Sequence, residues 1–216
     1  MKLKSLKVAL LFDESNDWLR GQFVGYKPQR SNVELMEFYD TEKISSFDIV
    51  FILGYSIILP PEFLTQNTLT LVVHESDLPN GKGYAPVQWQ ILEDKDEIKI
   101  SLIEALESVD SGDIILQNII QFDGDELYDD IRLKQARATI SIIEDFINIY
   151  PNFSRQKQAV GYSFYPKRKP KDGELNITQS IKDNFNLLRI GNNDAWPSFF
   201  FYKGNKYIIK IYRDND

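Results

Sequence analysis

The chain contains one histidine, His74, which directly follows the apolar run at residues 68–73 (TLTLVV). Imidazole titrates near neutral pH without any perturbation, so His74 is the first candidate for proton transfer. Ligands of open α/β sheets bind beyond the carboxyl ends of the strands, where His74 lies if residues 68–73 form a strand. The alternative is a histidine that only packs or faces solvent.

Asp110 is the second candidate, within the turn-rich sequence VDSGD at residues 109–113. A carboxylate can take part in proton transfer when it lies beside a reacting group. The alternative is an Asx turn between two strands, in which Asp110 serves only its own backbone.

Short apolar runs predict the strands that must position these residues. Four runs of about six residues, at 7–12, 33–38, 48–53 and 68–73, are rich in Val, Ile and Leu. Near-continuous apolarity is typical of strands buried on both faces of a parallel sheet that helices cover. Residues 97–104 and 113–122 flank a tight SVDSG turn and predict an antiparallel pair at one side. The fold class is therefore α/β, with a mixed, mainly parallel sheet.

A long helix and a linker follow the predicted sheet. Apolar residues such as Leu127, Ile131, Ala138, Ile142, Phe146 and Ile149 recur mostly at three- and four-residue steps over residues 125–150. This period favours one amphipathic helix packed on the sheet. Residues 151–171 lose the period and collect Pro, Lys and Arg, which is typical of a surface linker.

The remaining residues predict a small C-terminal appendage. Residues 177–190 have a helical pattern, and residues 198–212 predict a β-hairpin around Lys203-Gly204-Asn205, since Gly and Asn accept positive φ. We therefore divide the chain into residues 1–150 and residues 151–216. The apolar hairpin either pairs with a second subunit in a homodimer or packs on its own domain.

Composition excludes several classes of protein. With 25 Lys and Arg against 32 Asp and Glu in 216 residues, the net charge is −7. That balance argues against a nucleic-acid partner, which requires clustered cations. The absence of cysteine removes thiol chemistry, and a single histidine leaves only carboxylates, so we expect no metal site. Without a membrane-length apolar run or a cleavable leader, we expect a soluble cytoplasmic protein and no membrane partner.

Three motifs occur in order along the chain: YSIILP at residues 55–60, HESDLP at residues 74–79 with Gly83, Pro86 and Trp89 after it, and VDSG at residues 109–112. Together they resemble the 10-formyltetrahydrofolate-dependent formyltransferase family. The resemblance is closest to the short sugar N-formyltransferases of the pseudaminic-acid type, through Ser15 with Trp18, WQILE at 89–93 and FNLLRI at 185–190. It implies a Rossmann-like fold with folate and acceptor in one cleft.

The resemblance implies formyl transfer from 10-formyltetrahydrofolate to the 4-amino group of a UDP-linked 4-amino-4,6-dideoxy sugar, in surface-glycan synthesis. His74 would polarise the formyl oxygen and relay a proton, and Asp110 would balance the imidazole and accept the proton of the amine. The folate would lie against Ile58, Leu59, Leu106 and Val109. The acceptor would contact Trp18, Ser76, Lys82 and Gly83, and the basic residues 167–169 could meet a pyrophosphate.

Other roles are open for several of these residues when each is taken alone. Ile58 and Leu59 could be plain core residues, and Lys82 could be a solvated loop lysine. The residues around Trp18 could instead cap a helix.

Val72 occupies the position at which the family carries an oxyanion-binding asparagine, two residues before His74. Removing such a donor costs about 2.7–4 kcal/mol of transition-state stabilisation, and Ser76, Gln90 or Asn16 could replace it. The alternatives are a dTDP-linked amino sugar or glycinamide ribonucleotide as acceptor, or a silent protein that binds folate or nucleotide sugar. A tRNA acceptor is disfavoured, because methionyl-tRNA formyltransferases carry a larger C-terminal domain and this chain is acidic.

Overall fold

A computed structural model describes residues 4–214, and within that range most of the strands belong to one mixed sheet. The strands are β1 (Leu6–Phe12), β2 (Val33–Phe38), β3 (Ile49–Leu53), β4 (Thr70–His74), β5 (Lys82–Gly83), β6 (Glu97–Glu104), β7 (Ile114–Gln121), β8 (Phe164–Tyr165), β9 (Ser198–Tyr202) and β10 (Asn205–Ile209). The α-helices are α1 (Asp17–Phe23), α2 (Pro61–Thr65), α3 (Pro86–Leu92), α4 (Tyr128–Ile149) and α5 (Ile181–Arg189).

The main sheet has the strand order β2-β1-β3-β4-β6-β7. Its first four strands are parallel, whereas β6 runs antiparallel to β4 and β7 antiparallel to β6. The predicted α/β class and the antiparallel pair at one side are therefore confirmed. His74 is the last residue of β4 rather than the first residue after it.

Helix α4 covers one face of this sheet and buries Ile131, Ile142, Ile143, Phe146 and Ile147 against it. The predicted helix is confirmed. Its buried face includes Gln135 and Thr139, and Ile149 lies off that face and is 37% exposed. Alternation along β4 sends successive side chains to opposite faces.

Leu71 and Val73 of β4 belong to the core that α4 covers. Val72 packs on the other face, with Leu78, Ile103 and Ile114. His74 shares the parity of Val72, so its imidazole leaves the sheet on the face opposite α4.

Residues 151–171 are mostly exposed, as predicted for a linker, but they form ordered contacts with the rest of the chain. Gln156 exchanges backbone hydrogen bonds with Ile114, and β8 pairs in parallel with β5. Because β5 follows His74 closely in sequence, this segment supports the loop after the catalytic candidate. No helix among the described residues has the length and apolarity needed to span a bilayer.

The C-terminal hairpin of β9 and β10 forms as predicted, but the residues at its turn differ. Lys203 and Gly204 take positive φ (48° and 80°), as a two-residue hairpin turn requires, and Asn205 already belongs to β10. Phe201 and Ile208 are 48% and 60% exposed. Pairing of this hairpin with a second subunit stays a prediction, as does the division of the chain at residue 150.

A buried ion pair joins α5 to the start of α4. Arg189 Nη1 lies 3.4 Å from Glu126 Oε2, and both side chains are below 5% exposed (2% and 4%). Glu126 also accepts hydrogen bonds from Lys134 and from the amides of Asp123 and Gly124. Burial opposes ionisation of Glu126, but the Lys134 and Asp123 hydrogen bonds outweigh it and lower its pKa to about 2.

We expect Glu126→Gln to lower the free energy of unfolding by about 3 kcal/mol, because it leaves the Arg189 guanidinium buried without its carboxylate. The depressed pKa means that the stabilisation is complete above pH 4.5 and disappears as the pH falls toward 2. Urea unfolding at neutral pH measures the loss. The matched control is Asp125→Asn, whose carboxylate is 72% exposed beside Arg213, and an equal loss in the two variants would contradict the role of the buried pair.

Asp13, just after β1, ties the YSIILP loop to the sheet. Its Oδ2 accepts from Ser56 N at 3.0 Å and from Ser56 Oγ at 2.5 Å, and its Oδ1 accepts from the amide and hydroxyl of Ser15. Burial opposes ionisation, yet these hydrogen bonds lower the pKa of Asp13 to about 2. The carboxylate thereby fixes the start of the loop that carries Ile58 and Leu59.

Replacing Asp13 by Asn removes the charge and one acceptor oxygen, so we expect faster amide hydrogen exchange at residues 55–59. In the unmodified chain, the Ser56 amide resonance should titrate with a midpoint near pH 2, since the anchoring carboxylate is ionised above that value. Asp17→Asn on the adjacent exposed helix end is the control. Unchanged amide hydrogen exchange at residues 55–59 in the Asp13 variant would show that Asp13 does not fix this loop.

Candidate active site

A cleft of about 490 Å³ opens beside the end of β4 and is lined by both predicted catalytic residues. His74 Nδ1 lies 3.6 Å from Asp110 Oδ1, and the two side chains are only 7% and 8% exposed. The fold therefore brings together residues from a strand end and from the β6–β7 loop. A distance of 3.6 Å is too long for a good hydrogen bond but suits an ion pair.

The other ring nitrogen of His74 sets the orientation of the imidazole. Nε2 lies 2.8 Å from the carbonyl oxygen of Gly81, and a carbonyl oxygen only accepts, so Nε2 carries a hydrogen. Nδ1 is the ring nitrogen that faces Asp110. Gly81 is held in turn, because its amide donates to Ser163 Oγ at 2.8 Å.

Asp110 is fixed by hydrogen bonds to both its side chain and its backbone. Its Oδ2 accepts from the amide of Gly83 at 2.9 Å, and the side-chain amide of Gln158 donates to the carbonyls of Asp110 and Gly112 at 2.9 and 2.8 Å. Asp110 itself adopts a left-handed φ of 52°. At Gly112 a Cβ atom would lie 1.7 Å from the Glu104 carbonyl oxygen, so only glycine allows the loop to close.

The strand pair β5–β8 holds Gly83 against the cleft. Gly83 has a φ of 97°, and a Cβ atom there would lie 2.5 Å from the Tyr165 carbonyl oxygen. Tyr165 stacks on Trp89 with ring centroids 6.2 Å apart and donates its hydroxyl to Glu93. Burial and the bond to Glu93 raise the pKa of Tyr165, so it stays a neutral donor.

Exposed apolar side chains form the rim of the cleft. Ile58, Leu106 and Val109 are 73%, 53% and 55% exposed, and Leu59 completes the lining. The alternative that Ile58 is a buried core residue is therefore excluded. An apolar rim beside backbone groups suits a flat, partly apolar ligand.

The residues predicted to contact the acceptor occupy three different environments. Trp18 and Gly83 line the cleft. Ser76 is 1% exposed, packs beneath Gly81, and lines neither the cleft nor the cavity described next. Lys82 also lines neither cavity and holds its ammonium 5.6 Å from the Tyr162 ring centre. Contacts of Ser76 and Lys82 with an acceptor stay predictions.

Val72 lines the cleft, and its side chain offers no hydrogen bond there. Of the three predicted substitutes, Ser76 and Gln90 line neither cavity, whereas Asn16 lines both. The amide of Asn16 donates to Gly54 O at 2.7 Å and its oxygen accepts from Trp18 Nε1 at 3.1 Å. Asn16 is the N-cap residue of α1, but its side chain makes no cap hydrogen bond.

A second cavity, of about 700 Å³, adjoins the cleft and shares six lining residues with it: Asn16, Trp18, Tyr84, Ala85, Gln88 and Arg132. Its other walls come from residues 167–170, the end of α5 and the C-terminal hairpin. Among the described residues, five cations and no carboxylate line it: Arg132, Lys167, Arg168, Lys169 and Lys206.

Aromatic rings rather than acids support these cations. Arg132 lies 4.4 Å from the Trp18 ring centre, and Lys206 lies 3.8 Å from that of Phe199. Burial lowers the pKa of Arg168, whose Nε has no partner within residues 4–214. The basic residues 167–169, predicted to be able to meet a pyrophosphate, thus face a cavity.

The charge of the first cleft is the opposite. Among the described residues, four carboxylates line it, from Glu75, Glu104, Glu107 and Asp110, against one cation, Arg132. Glu104 is paired with Arg155 at 2.6 Å, which leaves three carboxylates outside that pair. Two adjoining cavities of opposite charge favour a ligand with a basic group at one end and an anionic group at the other.

Sequence reasoning missed Arg132, Gln135 and Gln158. The first two lie three residues apart on α4, and Gln135 is a polar residue on the buried stripe, a signal that the helical period contained. Gln158 lies in the segment predicted as a linker, and no local pattern marks it.

One group of three carboxylates in the described part of the chain could hold a metal ion: Asp123, Asp125 and Glu126. Lys134 binds both Asp123 and Glu126, and Arg189 pairs with Glu126. These cations already neutralise the cluster, and its residues line neither cavity.

Curated relatives of similar sequence are methionyl-tRNA formyltransferases. That of Clostridioides difficile is 27% identical over 197 residues, covering 87% of this chain and 60% of the relative. That of Mycoplasmopsis pulmonis is 32% identical over 189 residues, covering 81% of this chain and 64% of the relative. The chain thus spans about three fifths of the length of these relatives.

Solved structures share the fold at low identity. A methionyl-tRNA formyltransferase from Clostridium thermocellum has a TM-score of 0.78 at 17% identity, covering 95% of this chain and 92% of that one. A 4-N formyltransferase from Francisella tularensis has a TM-score of 0.74 at 17% identity, covering 98% and 99%. HypX from Aquifex aeolicus, solved with tetrahydrofolic acid, has a TM-score of 0.68 at 14% identity, covering 96% and 38%.

The cleft with its paired His74 and Asp110 lies within or beside segments that one family model describes. That model, Formyl transferase, matches residues 8–143, which is more than half of the chain. The match begins within β1 and extends through β7 and most of α4. The chain therefore belongs to the formyl transferase family.

Proposed function

We propose that this protein transfers the formyl group of 10-formyltetrahydrofolate to the 4-amino group of a nucleotide-linked 4-amino-4,6-dideoxy sugar, with UDP as the nucleotide. The observation that carries the proposal is the division of charge between the adjoining cavities. A nucleotide-linked 4-amino sugar has an amine on its sugar and a diphosphate between the sugar and the nucleoside, which would suit the acidic cleft and the cationic cavity. The aromatic walls of the second cavity suit a nucleotide base.

The folate side of the cleft is proposed to be the rim of Ile58, Leu59, Leu106 and Val109. These side chains are apolar, and three of them are more than half exposed, so a pterin ring would cover surface that otherwise faces water. Family membership and the structural likeness to a protein solved with tetrahydrofolic acid support this donor. Bound 10-formyltetrahydrofolate would supply the formyl carbon that the amine attacks.

His74 and Asp110 would move the protons of this transfer. The amine must lose a proton as its nitrogen bonds to the formyl carbon, and Asp110 Oδ1 can accept that proton at the cleft wall. A protonated Nδ1 of His74 would donate to the developing oxyanion and then pass its proton to the departing nitrogen. The 3.6 Å gap between the two groups leaves both able to face the reacting atoms.

Valine at position 72 would lower the rate of formyl transfer, because it removes an oxyanion donor, and would leave the binding of folate and acceptor unchanged. Without the asparagine, His74, backbone amides and the remaining hydrogen of the Asn16 amide would share the oxyanion. A silent protein that binds folate or nucleotide sugar is the outcome if these donors do not suffice. A dTDP-linked sugar would fill the same cavities and differs only at the base and the 2′-position of the ribose.

Methionyl-tRNA is the second candidate acceptor, and the curated relatives favour it. It also joins an amine to phosphates. The net charge of −7 disfavours a long polyanion, whose binding requires cations along an extended surface rather than in one cavity.

The first test is a mass-shift assay with purified protein, 10-formyltetrahydrofolate, and UDP- and dTDP-linked 4-amino-4,6-dideoxy sugars, with methionyl-tRNA and glycinamide ribonucleotide beside them. We expect one formyl group on a UDP-linked sugar. Transfer to methionyl-tRNA or glycinamide ribonucleotide alone would overturn the proposed acceptor. Folate binding without transfer to any of the four would establish the silent alternative.

In the same assay, we expect His74→Ala to abolish transfer and Asp110→Asn to lower kcat by 10²- to 10⁴-fold, the usual contribution of a positioned acid or base. Asparagine can still accept from the amide of Gly83, so KM should change little. Asp113→Asn, in the same loop but outside both cavities, is the control. Full activity of the Asp110 variant would exclude this residue from proton transfer.

A further inference from the structure

Arg132 lines both cavities and is the one cation that the described walls of the cleft and of the second cavity share. It projects from the first turns of α4, beneath the rings of Trp18 and Tyr128, whose centres lie 4.4 and 5.1 Å from its guanidinium carbon. A guanidinium between two rings has little freedom to rotate, so its hydrogen bonds have fixed directions.

Most of the hydrogens of this guanidinium have partners, and the partners are neutral amides. Nη1 donates to Gln135 Oε1 at 2.8 Å. Gln88, with its amide oriented to suit its neighbours, accepts from Nη2 at 2.8 Å and from Nη1 at 3.1 Å. None of the ion pairs between described residues includes Arg132.

One edge of the guanidinium has no hydrogen-bond partner among the described residues. Nε is shielded from solvent and has no hydrogen-bond partner within residues 4–214, and one hydrogen of Nη2 is also left over. Nε–H and an Nη–H on the same side form the parallel pair of donors that carboxylates and phosphates accept bidentately. A shielded donor without a partner is costly, so an anionic ligand would satisfy it.

Gln135 lies between this cation and Glu75, one of the acids that line the cleft. Its oxygen accepts from Arg132, while its nitrogen donates to Glu75 Oε1 at 2.5 Å. A direct Arg132–Glu75 pair would cancel both charges. With a neutral amide between them, the guanidinium keeps its charge for an anion, and Glu75, beside His74, keeps its charge for an amine.

We propose that Arg132 is the positioning residue of the acceptor: its free Nε–Nη2 edge binds a phosphate of the substrate at the junction of the two cavities, and Gln135 is the neutral spacer that keeps Arg132 available. This inference rests on the proposed function, and it makes the required substrate an amine that carries a phosphate group. Arg168, which lines only the second cavity and also has an unpartnered Nε, would meet a phosphate farther from the amine.

Calorimetric binding of UDP and of inorganic pyrophosphate tests the proposal without any formyl transfer. We expect Arg132→Gln to weaken UDP binding by tenfold or more, and Arg132→Lys to restore only part of it, because a lysine cannot offer two parallel donors. Arg137→Gln, an exposed arginine on the same helix, should bind as the unmodified chain does. Thermal unfolding of each variant identifies any that fail to fold.

Gln135→Glu is the sharper variant, since it keeps the size of the spacer and adds a carboxylate that can pair with Arg132. We expect UDP affinity to fall about as far as in Arg132→Gln. A purely structural role for Gln135 predicts no such loss in a folded variant. In turnover, both variants should raise KM for the nucleotide-linked amine and leave KM for an amino sugar without phosphate unchanged.

The outcomes separate this proposal from the proposed function. Arg132-dependent UDP binding without transfer to any acceptor would retain the phosphate site and reject the activity. Transfer to a nucleotide-linked amino sugar with the same KM in Arg132→Gln and Arg137→Gln would retain the activity and reject Arg132. Failure of the unmodified chain to bind either UDP or pyrophosphate would overturn the assignment of the second cavity.

Discussion

The placement of one buried carboxylate beside one buried imidazole is the constraint on which the rest of the site depends. Asp110 and His74 are 8% and 7% exposed. His74 is the last residue of β4, and Asp110 lies in the loop between β6 and β7. Each is therefore held by its neighbours: Gly81 accepts from the imidazole, and Gly83 and Gln158 bind the aspartate side chain and backbone. Without these partners the two groups would turn apart.

The same contacts show that residues after α4 in the chain hold the loops of His74 and Asp110, which precede α4 in the chain. The pairing of β8 with β5 fixes Gly83, and Ser163 fixes Gly81, so the segment after residue 151 supports both catalytic candidates. That segment then continues into the basic residues that line the second cavity. One stretch of chain thus supports His74 and Asp110 and supplies cations that line the second cavity.

The net charge of this chain does not describe the charge of its two cavities. The net charge of −7 conceals a cavity with five cations and a cleft with four carboxylates. Aromatic rings lie against four of these cations, Arg132, Lys167, Arg168 and Lys206, and neutral side-chain amides accept hydrogen bonds from Arg132. Arg132 is the clearest case, since Gln135 lies between it and Glu75.

The sequence by itself determined the strands, the long helix and the two catalytic candidates, because each depends on local pattern: buried strands are apolar runs, and a lone histidine at a strand end is visible in any reading. The motifs also located the loops of Ile58 and Asp110. Only the tertiary structure decided that Arg132 joins two cavities, that Gln158 fixes Asp110, and that Ser76 and Lys82 lie outside the cleft. These facts depend on contacts between residues far apart in the chain, and local periodicity carries no information about which distant side chains meet.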